Sequence, residues 1–237
     1  MADPSENRRL FEVAGQDPEF RPSPYCWRTR MALAHKRMAF EPVPWRAVEK
    51  RRIARSGGGT VPVLVDGARW VRDSWQIAIY LDQTYPSNPL FAGVAGLSHA
   101  RFLNSWADSF LHPLVFRAVI GEQYPLLSDL DKPAYLERTL KKFGHSVEEM
   151  GRDPEIAVSE VSRALEPASS ALSLAPFLGG ETPDYCDYVI FGTFQWARVA
   201  SRQTFWEQDS ILDRWFSNLL DGFEGRARAQ PARSHWP

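Results

Sequence analysis

Cysteine is nearly missing: Cys26 and Cys186 are the only two in 237 residues, in opposite halves of the chain. That excludes a disulfide framework and gives no metal-ligand spacing. Net charge is almost absent as well, −1 with both signs mixed along the chain, which argues against nucleic acid as the main partner. No apolar run approaches the ~18 residues of a membrane helix. Met1-Ala2-Asp3-Pro4-Ser5-Glu6 has no apolar h-region. These absences lead us to expect a soluble, cytoplasmic protein of a reducing compartment, with no membrane partner. There is no internal repeat and no low-complexity tract. Gly57-Gly58-Gly59 is not followed by lysine in P-loop spacing, so it reads as a connection rather than a phosphate cradle.

Aromatic residues, by contrast, are abundant, with nine Trp and fourteen Phe. Most will be core, but an excess also lines pockets for flat apolar ligands. At 237 residues the chain is long for one domain and comfortable for two. Residues 1–9 read as a polar, disordered arm and Leu10–Val13 as a short strand. A helix is expected from Pro24 to about Arg37, with Trp27, Met31 and Ala34 on one face. His35 there reads as a C-terminal cap rather than a catalytic base. In Phe40–Trp45 the prolines at 42 and 44 alternate, so both missing N–H donors can face outward, which suits an edge strand. Arg46–Ser56 reads as helical. Val61–Val65 is a strand, Asp66-Gly67 a hairpin turn, and Arg69–Arg72 the returning strand. Asp73 followed by Gln76 resembles a capping box for a helix carrying Ile77, Ala78 and Leu81 inward.

Pro86–Leu97 reads as a linker. Beyond it no strand is evident, and helical patterns occupy roughly 98–122, 133–150, 155–174, 184–200 and 207–224. Pro113 should bend or break the first of these. Asp184 and Asp187 mark a firm helix start beside Gly179-Gly180. The tail from Gly225 reads as poorly ordered.

The stretch with most chemical content is Ser23-Pro24-Tyr25-Cys26-Trp27-Arg28-Thr29-Arg30. Serine before proline is a favoured N-cap followed by a favoured first helical residue. The same geometry serves chemistry, because free N–H groups and the positive end of the helix dipole favour an anion there and lower the pKa of a thiol. The chain offers a hydroxyl at that position. Cys26, one turn in, reads as a small buried side chain.

Ser-Pro-Tyr-Cys at a first helix, Val61-Pro62 opening a strand, and Asp73-Ser74 after a hairpin together resemble the glutathione transferases. So do the all-helical second half and its Gly179-Gly180, Asp184 and Asp187 helix start. More narrowly, Ser23–Arg30, Trp70–Trp75 and Phe177–Gly180 followed by Pro183 look like the bacterial β-aryl-etherase branch and its serine-type fungal relatives. The resemblance implies a thioredoxin-like N-terminal domain, here 8–86, followed by an all-helical C-terminal domain, here 98–226. It implies glutathione as co-substrate, no metal, and a homodimer. It assigns Ser23 to the hydroxyl that hydrogen-bonds the glutathione sulfur, Val61 with a cis Pro62 to the cysteinyl contact, and Asp73 and Ser74 to the γ-glutamyl end. Thr60 is a further contact. Arg46 and Lys50 are both candidates for the glycyl carboxylate. Each residue has a bland alternative: Pro62 as strand punctuation, Asp73 and Ser74 as caps.

A thiol near pKa ~8.5 is a few per cent ionised at neutral pH; a shift of about two units at a helix N-terminus makes thiolate the major form. The electrophile is expected between the domains, in an apolar pocket drawn from Tyr25, Phe110, Phe116, Arg117, Trp196 and Arg198. The leading expectation is therefore a glutathione transferase acting on aromatic or hydrophobic electrophiles, with β-aryl ethers among them. The alternatives are a glutathione-dependent thiol reductase, which needs a cysteine where Ser23 stands, and a noncatalytic carrier of hydrophobic aromatics.

Overall fold

The computed structural model describes residues 8–235. Most of the expected N-terminal arm, residues 1–7, lies outside the described residues, and its last two residues are not an arm. Strand β1 spans Arg8–Val13. Arg8 joins it because its guanidinium meets Asp66 at 3.1 Å and donates to Ala39 O. Helix α1 (Pro24–His35), strand β2 (Glu41–Trp45), strands β3 (Val63–Asp66) and β4 (Arg69–Arg72) and helix α2 (Ser74–Thr84) complete the first half. Sheet order is β2-β1-β3-β4, with β1 and β2 parallel and the other pairs antiparallel. The proline-bearing β2 is at an edge, where missing N–H donors cost nothing. Gly67 supplies the left-handed conformation of the hairpin turn, at φ 59°.

Alternation along the strands divides the sheet between two cores. Leu10 and Leu64 face α1 and α2, where Trp27, Met31, Ile77, Ala78 and Leu81 meet them. Phe11, Val63 and Val65 face the other way, under Ile53. Ile53 belongs to a 3₁₀ segment, Ala47–Ser56, kinked at Glu49, where a regular helix was expected. Ile53 is its one buried residue, so it lacks the apolar stripe that would hold a full α-helix against the sheet.

The second half is helical: α3 (Gly93–Trp106), α4 (His112–Gln123), α5 (Lys132–Phe143), α6 (Val147–Met150), α7 (Pro154–Ala164), α8 (Glu166–Leu172), α9 (Tyr185–Ala200) and α10 (Ile211–Gly225). The expected linker is shorter than its composition suggests. It ends at Ala92, and α3 starts where Asp82 has captured the N–H groups of Leu90 and Phe91. Pro113 does not break its helix either. The chain widens into a π turn at Ala107–Leu111, His112 N–H reaches Ala107 O, and α4 continues.

The tail is the largest departure. Ala227 is 1% exposed, Gln195 Nε2 donates to Ala227 O at 2.7 Å, and Gln230 Nε2 donates to Glu19 O at 2.6 Å. Its polar residues hold it down by bonds to distant backbone, which composition alone does not reveal. Among the described residues no helix is long and apolar enough to cross a membrane, and no group of His, Cys, Asp and Glu could hold a metal ion.

Candidate active site

Ser23 is the N-cap of α1, in extended backbone at φ −138° and ψ 119°, and it is 7% exposed. Its Oγ accepts the N–H of Cys26 at 3.3 Å. A hydroxyl that accepts from the helix keeps its own proton to donate elsewhere. Pro24 follows at the position where a missing N–H is harmless. Cys26 is buried. Burial first, then the nearby Glu12 carboxylate, pushes its thiol up to about 12, despite the Ser23 hydrogen bond. It is a packing group, not a nucleophile.

Two further element starts, those of β3 and α2, are tied to each other. The Val61–Pro62 peptide is cis, and Pro62 O accepts the N–H of Asp73 at 3.2 Å, tying the start of β3 to the start of α2. Asp73 caps α2 through Oδ1, which accepts from Trp75 N at 3.1 Å and Gln76 N at 3.0 Å. The expected capping box is thus half built, because the Asp73 N–H that Gln76 would satisfy is already taken by Pro62. Asp73 also sits at φ 71°, a left-handed conformation costing on the order of 1–3 kcal/mol in a non-glycine residue. Such strain persists where the surroundings impose it; here those are the Pro62 bond and the two cap bonds. Ser74 beside it is buried, and its carbonyl accepts the Tyr185 hydroxyl at 3.0 Å, fixing α2 to α9. Val61 and Arg46 are half-buried, and Thr60 and Lys50 are exposed.

Tyr25 connects this rim to the helical half. Burial raises its phenol pKa, with the Asp108 carboxylate adding to that, Arg28 opposing it and Asp73 adding more weakly. The Arg28 guanidinium lies 4.9 Å from the ring centre. Arg28 itself is fully buried; it donates to Asp108 at 2.8 Å, to Asn104 at 3.2 Å and to Val189 O at 3.3 Å. Above Tyr25 stands His112, ring centres 5.5 Å apart, stacked in turn on Trp196 at 4.8 Å. Phe116 lies 6.4 Å from Trp196 and 4.9 Å from Phe143. His112 is buried, and among the described residues its Nδ1 has no hydrogen-bond partner. Burial, then Lys142 and Arg28, holds its pKa well below the usual imidazole value.

The structure therefore brings Tyr25, Phe116 and Trp196 into one aromatic row. It leaves Phe110 half-exposed beside Trp106. It places Arg117 and Arg198 elsewhere. Arg117 is held by Glu160 of α7 at 2.5 Å. Arg198 donates to Gln230 O at 3.0 Å on another side of α9. Arg28, Asp108 and His112 escaped the sequence reading. Tyr25 and Arg28 are i and i+3, and Asp108 and His112 are i and i+4, so each pair shares a helix face. That spacing was the available signal. His35, read as a cap, contacts the Tyr188 hydroxyl at 2.7 Å.

Comparison with known proteins gives a consistent outcome. A family profile described as glutathione S-transferase, N-terminal domain, matches residues 22–84, and one described as glutathione S-transferase, C-terminal domain, matches residues 98–224. Over 68 residues the chain is 38% identical to glutathione S-transferase Z1 of Arabidopsis thaliana, covering 27% of this chain and 31% of that protein. The match thus spans about a third of the length of that curated relative. Among solved structures, glutathione transferase GSTFuA3 from Phanerochaete chrysosporium superposes with a TM-score of 0.75 at 21% identity, over 92% of this chain and 96% of that one. A glutathione S-transferase of Ceriporiopsis subvermispora in complex with glutathione gives 0.74 at 20%, over 92% and 98%. FzlA from C. crescentus gives 0.68 at 20%, over 98% and 94%. At these identities the likeness is one of fold.

Proposed function

The chain belongs to the glutathione S-transferase family, and on that premise we propose that it binds glutathione, holds its sulfur as thiolate beside Ser23, and transfers it to aromatic electrophiles. The observation that carries the reading is the Ser23 hydroxyl: its oxygen accepts the Cys26 N–H at the start of α1, where the helix dipole is positive, and its O–H is a donor that can turn to a sulfur bound there. A donor at that point favours thiolate over thiol. The Asp73 carboxylate, exposed and fixed by its cap bonds, suits the ammonium of the γ-glutamyl end. The N-terminus of α2 at Ser74 suits the adjoining carboxylate. Val61, Thr60 and the cis Pro62 offer backbone to the cysteinyl part. Arg46 and Lys50 remain the two candidate cations for the glycyl carboxylate.

The two-domain division at 8–86 and 98–226, a homodimer and a cytoplasmic location belong to the same proposal. For the homodimer, exposed Val94 and Phe102 on α3 offer apolar surface. A thiol reductase gains no support, since Cys26 is buried with its pKa pushed up to about 12. A noncatalytic carrier differs from a transferase in ignoring glutathione, which titration decides.

The test is Ser23→Ala. The variant should still bind glutathione, but the ultraviolet thiolate band of the bound tripeptide should titrate about 1–2 units higher, with turnover reduced ~10- to 100-fold. An unchanged thiolate pKa and unchanged turnover would leave Ser23 a cap only. For the electrophile, the row from Tyr25 to Phe116 favours flat rings, and His112 supplies a polar group among them. Incubation with a model α-keto β-aryl ether should release a phenol and leave a glutathione thioether, both visible by chromatography. Brisk conjugation of a chloro-nitroaromatic with neither product would retain the transferase and remove the etherase.

A further inference from the structure

Helix α5 closes the far end of the aromatic row that starts at Tyr25. Its buried residues are Tyr135 and Thr139. The Tyr135 ring lies 6.4 Å from Phe116, and Phe143, the last residue of the helix, lies 4.9 Å from it. Beside that face, one turn apart, stand Arg138 and Lys142. The Arg138 guanidinium is 5.1 Å from the centre of the Tyr135 ring, and the Lys142 ammonium is 5.0 Å from that of Phe143. Each cation is thus held over a ring of the row.

No carboxylate answers them. The ion pair of α5 is Lys132 with Asp129, at the first residue of the helix; among the described residues Arg138 and Lys142 have none. Glu137, the one acid of α5, is adjacent to Arg138 in sequence and shares its face with Lys141 instead. Asp108 is committed elsewhere, accepting from Arg28 at 2.8 Å and from Asn104 Nδ2 at 2.9 Å. Two like charges at i and i+4 repel. An anion between them would turn that repulsion into attraction.

Lys142 belongs to the same opening as the site. Burial lowers its pKa, Asp108 opposes that, and Arg138 adds to it. Lys142 in turn helps to keep the His112 imidazole neutral. Asp108, His112 and Lys142 come from the π turn, α4 and α5, so one opening lies among the three. Tyr25 and Phe143 are the half-buried rings at its two ends, and Lys142 and Arg138 are exposed.

We propose that the electrophile of this site carries a carboxylate, which Lys142 and Arg138 bind while its ring lies against the row between Tyr25 and Phe143. The inference rests on the transferase reading and narrows its substrate to acidic aromatics. Lys142 and Arg138 are then the residues that determine specificity, with no part in the bond made to sulfur.

Two ligands test it by calorimetric titration of the full chain: the S-(carboxy-dinitrophenyl) conjugate of glutathione, and the same conjugate with its ring carboxyl as the methyl ester. Both carry the same tripeptide, so only the ring charge differs. The acid should bind at least ~10-fold tighter, as a charge-assisted contact provides. Lys142→Gln should weaken the acid ~5- to 10-fold and leave the ester and free glutathione unaffected, while Lys142→Arg keeps the preference. Equal affinity of acid and ester for a wild type that binds glutathione would overturn this inference alone. So would an unchanged preference in the folded double variant Lys142→Gln, Arg138→Gln. Binding of neither conjugate nor glutathione would overturn the transferase reading, and this inference with it.

Discussion

His112 shows how one side chain can matter for both the site and the pH response. Its ring is sandwiched between Tyr25 and Trp196, with Nδ1 unpartnered and Lys142 and Arg28 nearby. Burial and those two cations hold its folded pKa well below 6.5, so the native state keeps the imidazole neutral. The contribution to stability is present above pH ~6.5 and is lost as pH falls toward the folded value, at about 1.4 kcal/mol per unit. His112→Phe removes that titration while keeping a flat ring. Urea unfolding of both proteins between neutral and mildly acidic pH should show the wild type losing ground to the variant below about 6.5. Parallel curves would mean that His112 titrates alike in the folded and unfolded states.

The close contact of α1 with α9 sets a different test. Gly192 lets the helices meet, since an added Cβ would press on Pro24 O at 2.6 Å and on Arg28 Cγ at 3.0 Å. Gly192→Ala gains up to ~1 kcal/mol of helix propensity but pays about 1–3 kcal/mol of overpacking. A net loss of roughly 1–2 kcal/mol by urea unfolding is expected, with the bound-thiolate pKa raised because Ser23 caps the displaced helix. A stabilised variant would show that the interface gives way freely.

At this scale the sequence was legible where one short segment decides the outcome. Pro42 and Pro44 placed β2 at an edge, Asp66-Gly67 set the hairpin, and Ser23-Pro24 and Asp184 with Asp187 marked helix starts. It was illegible where three elements meet. Nothing local tells that Arg28 of α1 meets Asp108 of the π turn and Val189 of α9. Nor does local pattern reveal the π turn itself, because the apolar spacing runs on through Pro113. The half-built cap at Asp73 had the same cause: the competing acceptor, Pro62 O, lies just before β3, on the far side of the hairpin.

Over the whole molecule, the tail works as a strap. It crosses α9, where Gln195 and Arg198 donate to its carbonyls, and returns to the opening loop at Glu19. Removing the chain after Gly225 deletes four such bonds and the buried Ala227, a loss of about 3–5 kcal/mol at ~1 kcal/mol per net hydrogen bond plus the apolar area. Calorimetry should show Tm lowered by roughly 2–4 °C for each of those kcal/mol; an unchanged Tm would mean the strap rests on the surface without holding it.

The bond from Gln230 to Glu19 joins positions 211 residues apart. On a ribosome adding about 5–20 residues per second, its two ends emerge some ~10–40 s apart. The sheet and the first helix can assemble early, but the loop leading to Ser23 receives this brace only after a further 211 residues have been made. A chain stalled before Ala227 would carry the cap, the strand and the hairpin, and still lack the brace on Glu19.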